Sequence, residues 1–164
     1  MAASAADCCI FLFGNAARGD DALGEQLHAL LQQELTRTES SLNTASIRLI
    51  ADFQLQPEHI FDLKDARLGI FVDAHHDAAS GVQWRQIHSG SQLQFSSHSL
   101  PVESLLFLYE TSFAQVPPPC YLMTMGGEQF ELGTGLSPTA QHNLQTAYPL
   151  LLEKLETLTA GAIS

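Results

Sequence analysis

The chain has 164 residues, 45% of them hydrophobic, and a near-neutral mean hydropathy, which fits one folded domain with one core and argues against disorder. Eighteen Asp and Glu against seven Lys and Arg give a formal charge of −11, with no basic stripe to neutralise a phosphate backbone, so nucleic acid is a poor candidate partner. No apolar run approaches the ~18 residues of a membrane span and no Lys or Arg precedes the first apolar stretch, so no membrane association is expected and the chain reads as cytoplasmic.

Cys8 to Phe13 is continuously apolar and predicts a buried first strand. From Ala22 the pattern turns helical, with Leu23, Leu27, Leu30, Leu31 and Leu35 on one face. A polar loop, Thr36 to Thr44, leads to a second strand over Ser46 to Ile50, and Pro57 to Leu63 suits a short helix with proline at its start. Leu68 to Asp73 is a further strand, followed by a polar turn holding His75, His76 and Asp77, and Val82 to Ile87 is a strand carrying the only tryptophan, Trp84. Leu100 and Pro101 open a helix whose Val102, Leu105, Leu106, Tyr109 and Phe113 form a stripe, and Pro117 to Pro119 end it. Tyr121 to Met125 is a buried strand. Ser137 and Pro138 then form an N-cap and first helical position for a final helix to about Thr159, with a kink expected at Pro149. Strands alternating with helices predict an α/β fold, a three-layer α/β/α sandwich around a largely parallel twisted sheet, as a single domain over residues 1–164.

Three cysteines, two of them adjacent, make neither a C-x-x-C pair nor an even disulfide framework, so they are expected to be reduced core residues. Cys120 in particular reads as packing. There is no H-E-x-x-H, no G-x-S-x-G, and Gly133-Thr134-Gly135 lacks the third glycine of a dinucleotide fingerprint.

The turn after the first strand holds the chemistry. Gly14 and Gly19 have the spacing of a phosphate-binding loop, but Asp20 and Asp21 stand where that loop needs Lys and Ser or Thr, so the turn repels phosphate and welcomes a cation. In a parallel sheet, ligands collect outside the carboxyl ends of the strands. Three ionisable residues are expected to meet there: Asp21 after the first strand, Asp73 at the end of Leu68 to Val72, and His98 just before the helix at Leu100. The dipole of that helix disfavours imidazolium, and a neutral imidazole beside two carboxylates is a metal-ready set. Taken singly, each has a plainer reading: Asp20 and Asp21 as helix caps, Asp73 as a strand-end cap and His98 as a surface residue, while His75, His76 and Asp77, which could add ligands, read rather as a solvated turn.

Gly14-Asn15 with Gly19-Asp20-Asp21-Ala22-Leu23-Gly24, Phe71-Val72-Asp73-Ala74, His98 with Leu100, Leu105 and Leu106, and Glu131-Leu132-Gly133 with Gly135-Leu136-Ser137-Pro138 resemble, in order, the motifs of the hydrogenase maturation proteases, endopeptidases that trim the C-terminal extension from the large subunit of nickel-iron hydrogenases. Two positions depart from that pattern: Ala22 replaces a glycine, and Asp52-Phe53-Gln54-Leu55 lacks a glycine-threonine turn. The resemblance implies a hydrolase, an endopeptidase of metal-dependent or aspartyl type, with Asp21, Asp73 and His98 as catalytic and metal-binding residues. It implies nickel as the metal, carried by the substrate rather than held tightly by the free enzyme. The implied partner is the precursor of a nickel-iron hydrogenase large subunit, met by a monomer in the cytoplasm. It assigns the metal to Asp21 rather than Asp20, so Asp20 is expected to act as a turn or capping residue that tolerates Asn. A small-molecule metallohydrolase and a non-catalytic nickel-protein binding module or chaperone stay open beside it.

Overall fold

The computed structural model describes residues 7–42, 46–94 and 100–160. Its order is β1 (Cys8–Phe13), α1 (Leu23–Thr36), β2 (Ile47–Asp52), α2 (His59–Leu63), β3 (Leu68–His75), β4 (Val82–Ile87), α3 (Val102–Phe113), β5 (Cys120–Gly126) and α4 (Pro138–Ala160), with short 3-10 turns at Gly19–Ala22 and Ala78–Ser80. The sheet runs β2-β1-β3-β5-β4, parallel except for β4, which pairs antiparallel with β5 at the edge.

Strand period two divides the core. Cys8, Ile10 and Leu12 point to the face covered by α1 and α4, with Ile70, Val72, Met123, Leu27, Leu31, Leu151 and Leu155. Cys9, Phe11 and Phe13 point to the other, with Phe71, Leu63, Leu105, Leu106 and Tyr109 from β3, α2 and α3. The expected α/β/α sandwich and largely parallel sheet are therefore what the chain forms. α1 comes unusually close to β1: a side chain at Gly24 would place its first carbon 2.2 Å from the Phe13 carbonyl, so only glycine lets the helix lie there.

The chain reverses direction across the sheet at β1. It moves outward through α1 to β2, then back through α2 to β3 on the opposite side of β1. Right-handed crossovers in opposite directions put the two helices on opposite faces and leave a crevice between the loops that follow β1 and β3. Asp21 comes from the turn after β1 and Asp73 from the C-terminal end of β3.

Elements differ from expectation in small ways. β3 runs to His75 rather than stopping at Asp73, because β5 continues beside it, pairing Asp73 with Thr124, Ala74 with Met125 and His75 with Gly126. α3 ends at Phe113 with Ala114 in the left-handed region at φ 51°, so a backbone reversal stops it before the three prolines are reached. α4 is assigned as one helix through Pro149, whose missing N–H leaves the Gln145 carbonyl without a helical donor. Among the described residues no helix is long and apolar enough to cross a membrane.

Phe71 has no solvent exposure and stacks on Phe11 with centroids 4.7 Å apart. Phe71→Ala is expected to lower stability by about 3–5 kcal/mol, read as a fall in the urea midpoint with an unchanged m-value; a smaller loss would show that the α2/α3 layer collapses into the space.

Candidate functional site

The loop after β1 is held at both ends. The Gly14 N–H donates to the Asp52 carbonyl at 3.1 Å, which continues the β1/β2 ladder one residue past the strand. Gly14 has φ 145°, and a first side-chain carbon there would lie 2.0 Å from the Asp21 carbonyl oxygen. Only glycine allows this close return of the chain on itself. The return lets the Asn15 N–H donate to Asp21 Oδ2 at 2.8 Å, fixing one oxygen of a half-buried carboxylate. Ala22, where the resembling motif has glycine, takes φ −74° and ψ −7° and leads into α1. That is ordinary helical backbone, so the departure costs nothing.

Asp20 differs from expectation. It has no solvent exposure, and its carboxylate accepts hydrogen bonds from the N–H groups of Glu128 (2.8 Å), Gln129 (3.0 Å) and Ser137 (2.7 Å) and from the Ser137 hydroxyl (2.7 Å). Its own N–H donates to the Gln129 carbonyl at 2.6 Å. Burial alone pushes its pKa up, but the bonds from Ser137, Glu128 and Gln129 outweigh burial and hold it below its ordinary value. The Ser137 hydroxyl also accepts from the Ala140 N–H at 3.1 Å, capping α4 as its sequence position predicts. Asp20 is thus not a tolerant turn residue. It clamps the loop after β1 to the loop after β5.

Asp73 is open to solvent on its own surface but lies deep within the surrounding protein mass. Burial pushes its pKa up to about 7; the Ala74 N–H, donating to Oδ1 at 2.9 Å, works the other way, and the charge of Asp21 adds to the rise. The two carboxylates therefore share one field. His98, the third expected member, falls within residues 95–99 and lies outside the described residues. Among the described residues, no group of three or more His, Cys, Asp and Glu is arranged to hold a metal ion. Asp21 and Asp73 by themselves supply two carboxyl groups as oxygen donors, a chemistry that fits a cation.

His76, for which the sequence favours a solvated turn over an added ligand, has its ring 4.0 Å from that of Phe130, and the two line a cavity of about 230 Å³ together with Arg18 and Asp21. The neighbouring Asp77 behaves as expected of a turn, accepting from the Ala79 N–H at 3.1 Å. No local signal could have found His76, because its partner Phe130 sits in the loop after β5. A second unforeseen histidine, His59, is buried against Phe11 and Phe13, with Nδ1 accepting from the Gln56 N–H at 2.8 Å and Nε2 lying 3.3 Å from Asp52 Oδ2. The cysteines are buried, as expected; burial pushes the Cys120 thiol up to about 12 and Cys8 further, so neither is a thiolate nucleophile at neutral pH.

No protein-family model matches the sequence, and no curated protein matches it by sequence. Solved structures do match its fold. The hydrogenase maturating endopeptidase HybD from E. coli superposes with a TM-score of 0.69 and 17% identity over 92% of each chain. The [NiFe] hydrogenase maturation protease HycI from Thermococcus kodakarensis KOD1 gives 0.65 and 20% over 92% of this chain and 93% of its own, and the hydrogenase 2 maturation peptidase from Thaumarchaeota archaeon SCGC_AB-539-E09 gives 0.60 and 18% over 90% and 97%. The chain has the fold of the hydrogenase maturation proteases. The likeness extends over nearly the whole chain.

Two predictions follow from these environments. Asn at Asp20 presents an amide N–H to a donor whichever way it is placed, so Asp20→Asn is expected to cost about 2–4 kcal/mol, whereas Asp21→Asn keeps an oxygen for the Asn15 N–H and is expected to cost about 1 kcal/mol or less; chemical denaturation ranks the two, and the reverse order would contradict the clamp. For Asp73 the folded pKa of about 7 lies above the ordinary 3.8, so the folded chain holds a proton that the unfolded chain has released between those values, and stability falls as pH rises through that window. Asp73→Asn removes this loss. It is expected to melt with the wild type at pH 4 and above it at pH 8, and equal offsets at both pH values would show that Asp73 titrates normally.

Proposed function

We propose that the chain is an endopeptidase that removes the C-terminal extension of a nickel-iron hydrogenase large-subunit precursor, recognising nickel already placed in that substrate. The observation that carries this reading is the pair Asp21 and Asp73, one from the turn after β1 and the other from the C-terminal end of β3, at the chain-reversal crevice of a fold shared with hydrogenase maturation proteases. Asp21, with one oxygen fixed by the Asn15 N–H, is the anchoring oxygen donor for the substrate's ion. His98 is the third donor, assigned from the sequence resemblance. Asp21 and His98, donors from separate segments, make an open half-site suited to an ion that arrives on another protein, with Asp73 beside it.

Asp73 has the second role. With a pKa raised to about 7 it exchanges a proton near neutral pH, so it can take the proton of an attacking water and return it to the leaving amide nitrogen. The substrate's nickel supplies the Lewis acidity that polarises the scissile carbonyl or lowers the pKa of the attacking water. The crevice brings no nucleophilic thiolate of its own, which is consistent with direct attack by water.

The test is processing of a purified nickel-loaded precursor, followed as the loss of its C-terminal extension by mass spectrometry. Asp21→Asn, Asp73→Asn and His98→Ala are each expected to slow cutting by about 100-fold or more while melting cooperatively, and nickel-free precursor is expected to resist even excess enzyme. Near wild-type rates in all three variants would reject the site. Cleavage of nickel-free precursor by enzyme that retains stoichiometric metal after chelation would favour an autonomous metallohydrolase, and binding without cleavage a chaperone.

A further inference from the structure

All seven Lys and Arg of the chain lie among the described residues, and six have a partner. Arg37 pairs with Glu34, Arg48 with Asp62, Arg67 with Asp7 and Arg85 with Glu103, at 3.0 to 3.8 Å. Lys64 and Lys154 sit over the rings of Phe113 and Trp84. Arg18 is the exception. Its side chain is exposed, its Nε reaches only the Phe130 carbonyl at 3.5 Å, and among the described residues no carboxylate forms an ion pair with it. In a chain of net charge −11 a guanidinium left without a carboxylate is conspicuous, and this one lines the cavity that Asp21 lines.

That cavity has a defined chemistry. Arg18 contributes a planar cationic fork, His76 a ring N–H, and Phe130 an aromatic wall against which His76 is stacked. Its volume of about 230 Å³ is below the roughly 300 Å³ of the smallest small-molecule pockets, so it takes one side chain or one chain end. The loop is rigid enough to serve as a site, because Asp20 clamps it from beneath and the Gly133 N–H donates to the Ala17 carbonyl at 3.0 Å.

We propose that Arg18, His76 and Phe130 form a carboxylate-binding subsite that holds an anionic side chain or the C-terminal carboxylate of the peptide segment cut beside Asp21, with Arg18 as the specificity-determining residue. The use of the subsite rests on the endopeptidase reading; its chemistry rests on the cavity alone. An acidic segment approaching this protein meets net repulsion, and a guanidinium at the mouth of the site gives it one place to dock. The fork also matches a carboxylate with two parallel hydrogen bonds, which an ammonium cannot do.

The experiment has two arms. In the first, ¹⁵N-labelled protein is titrated with N-acetyl-phenylalanine and with its carboxamide, reading the amides of the 127–133 loop and His76 and the Arg18 Nε–H. The acid is expected to bind about fivefold or more tighter than the amide. That preference should vanish in Arg18→Gln and survive in part in Arg18→Lys; equal affinities, or a preference kept by Arg18→Gln, would overturn the subsite. In the second arm, processing is compared for native precursor, for precursor with the acidic side chains of its extension changed to amides, and for precursor amidated at its C-terminus. Arg18→Gln is expected to raise KM for the native precursor about tenfold, with a smaller change in kcat, and to have no effect on whichever precursor lacks the carboxylate that docks, which identifies its source. A wild-type protein that cuts no precursor rejects the endopeptidase reading while the acid-over-amide preference still decides the subsite. A cutting enzyme indifferent to Arg18→Gln rejects the subsite's role in the substrate.

Discussion

A carboxylate with no access to solvent and four donors around it ties together the two loops on which the C-terminal edge of the sheet depends. Asp20 reaches across from the turn after β1 to the N–H groups of Glu128 and Gln129 and to both the N–H and hydroxyl of Ser137. A buried carboxylate held this way is costly to disturb, because any loosening strands a charge or several backbone donors away from water. Ser137 extends the constraint into α4 by capping it with the same hydroxyl. The position of Asp21, one residue on, follows from this clamp and from the close return of the chain at Gly14.

Adjacent aspartates with opposite environments divide the labour. Asp20 is spent entirely on structure, its pKa held down by four donors, whereas Asp21 has one oxygen fixed by the Asn15 N–H and lines the crevice. Asp73, across the crevice, lacks a donor beyond its neighbour's N–H, so burial and the charge of Asp21 drive its pKa upward. A carboxyl whose pKa is raised can serve a site as its proton carrier. The chain reversal at β1 creates the crevice in which this happens, and it is a property of strand order rather than of any one residue.

The cationic side of the crevice is built by the same two loops. Arg18 belongs to the loop after β1 and Phe130 to the loop after β5, and the clamp at Asp20 fixes their relative positions. A mobile loop would let Arg18 find one of the many carboxylates on an acidic surface. Here it forms no ion pair among the described residues, while the remaining arginines pair with carboxylates elsewhere.

Period-two and helical patterns were enough to determine the element order, the layer architecture and the two core faces, because burial of alternating or striped apolar residues is a local property of the chain. Cys8–Phe13, Val82–Ile87 and the Ser137-Pro138 start of α4 are legible in this way, and so is the placement of Asp21 after β1 and of Asp73 toward the C-terminal end of β3. Three matters were decided only by tertiary structure. Asp20 and Asp21 look alike in sequence, and only the approach of the 128–137 loop makes one a buried clamp and the other a site carboxylate. His76 reads as a solvated turn until Phe130, more than fifty residues away in the chain, is stacked against it. Asp73 has an ordinary pKa as a residue type and a raised one only where packing removes water and Asp21 is brought near. In each case the deciding partner is distant in sequence, and hydrogen bonding, stacking and electrostatics between such partners exist only once the chain has folded.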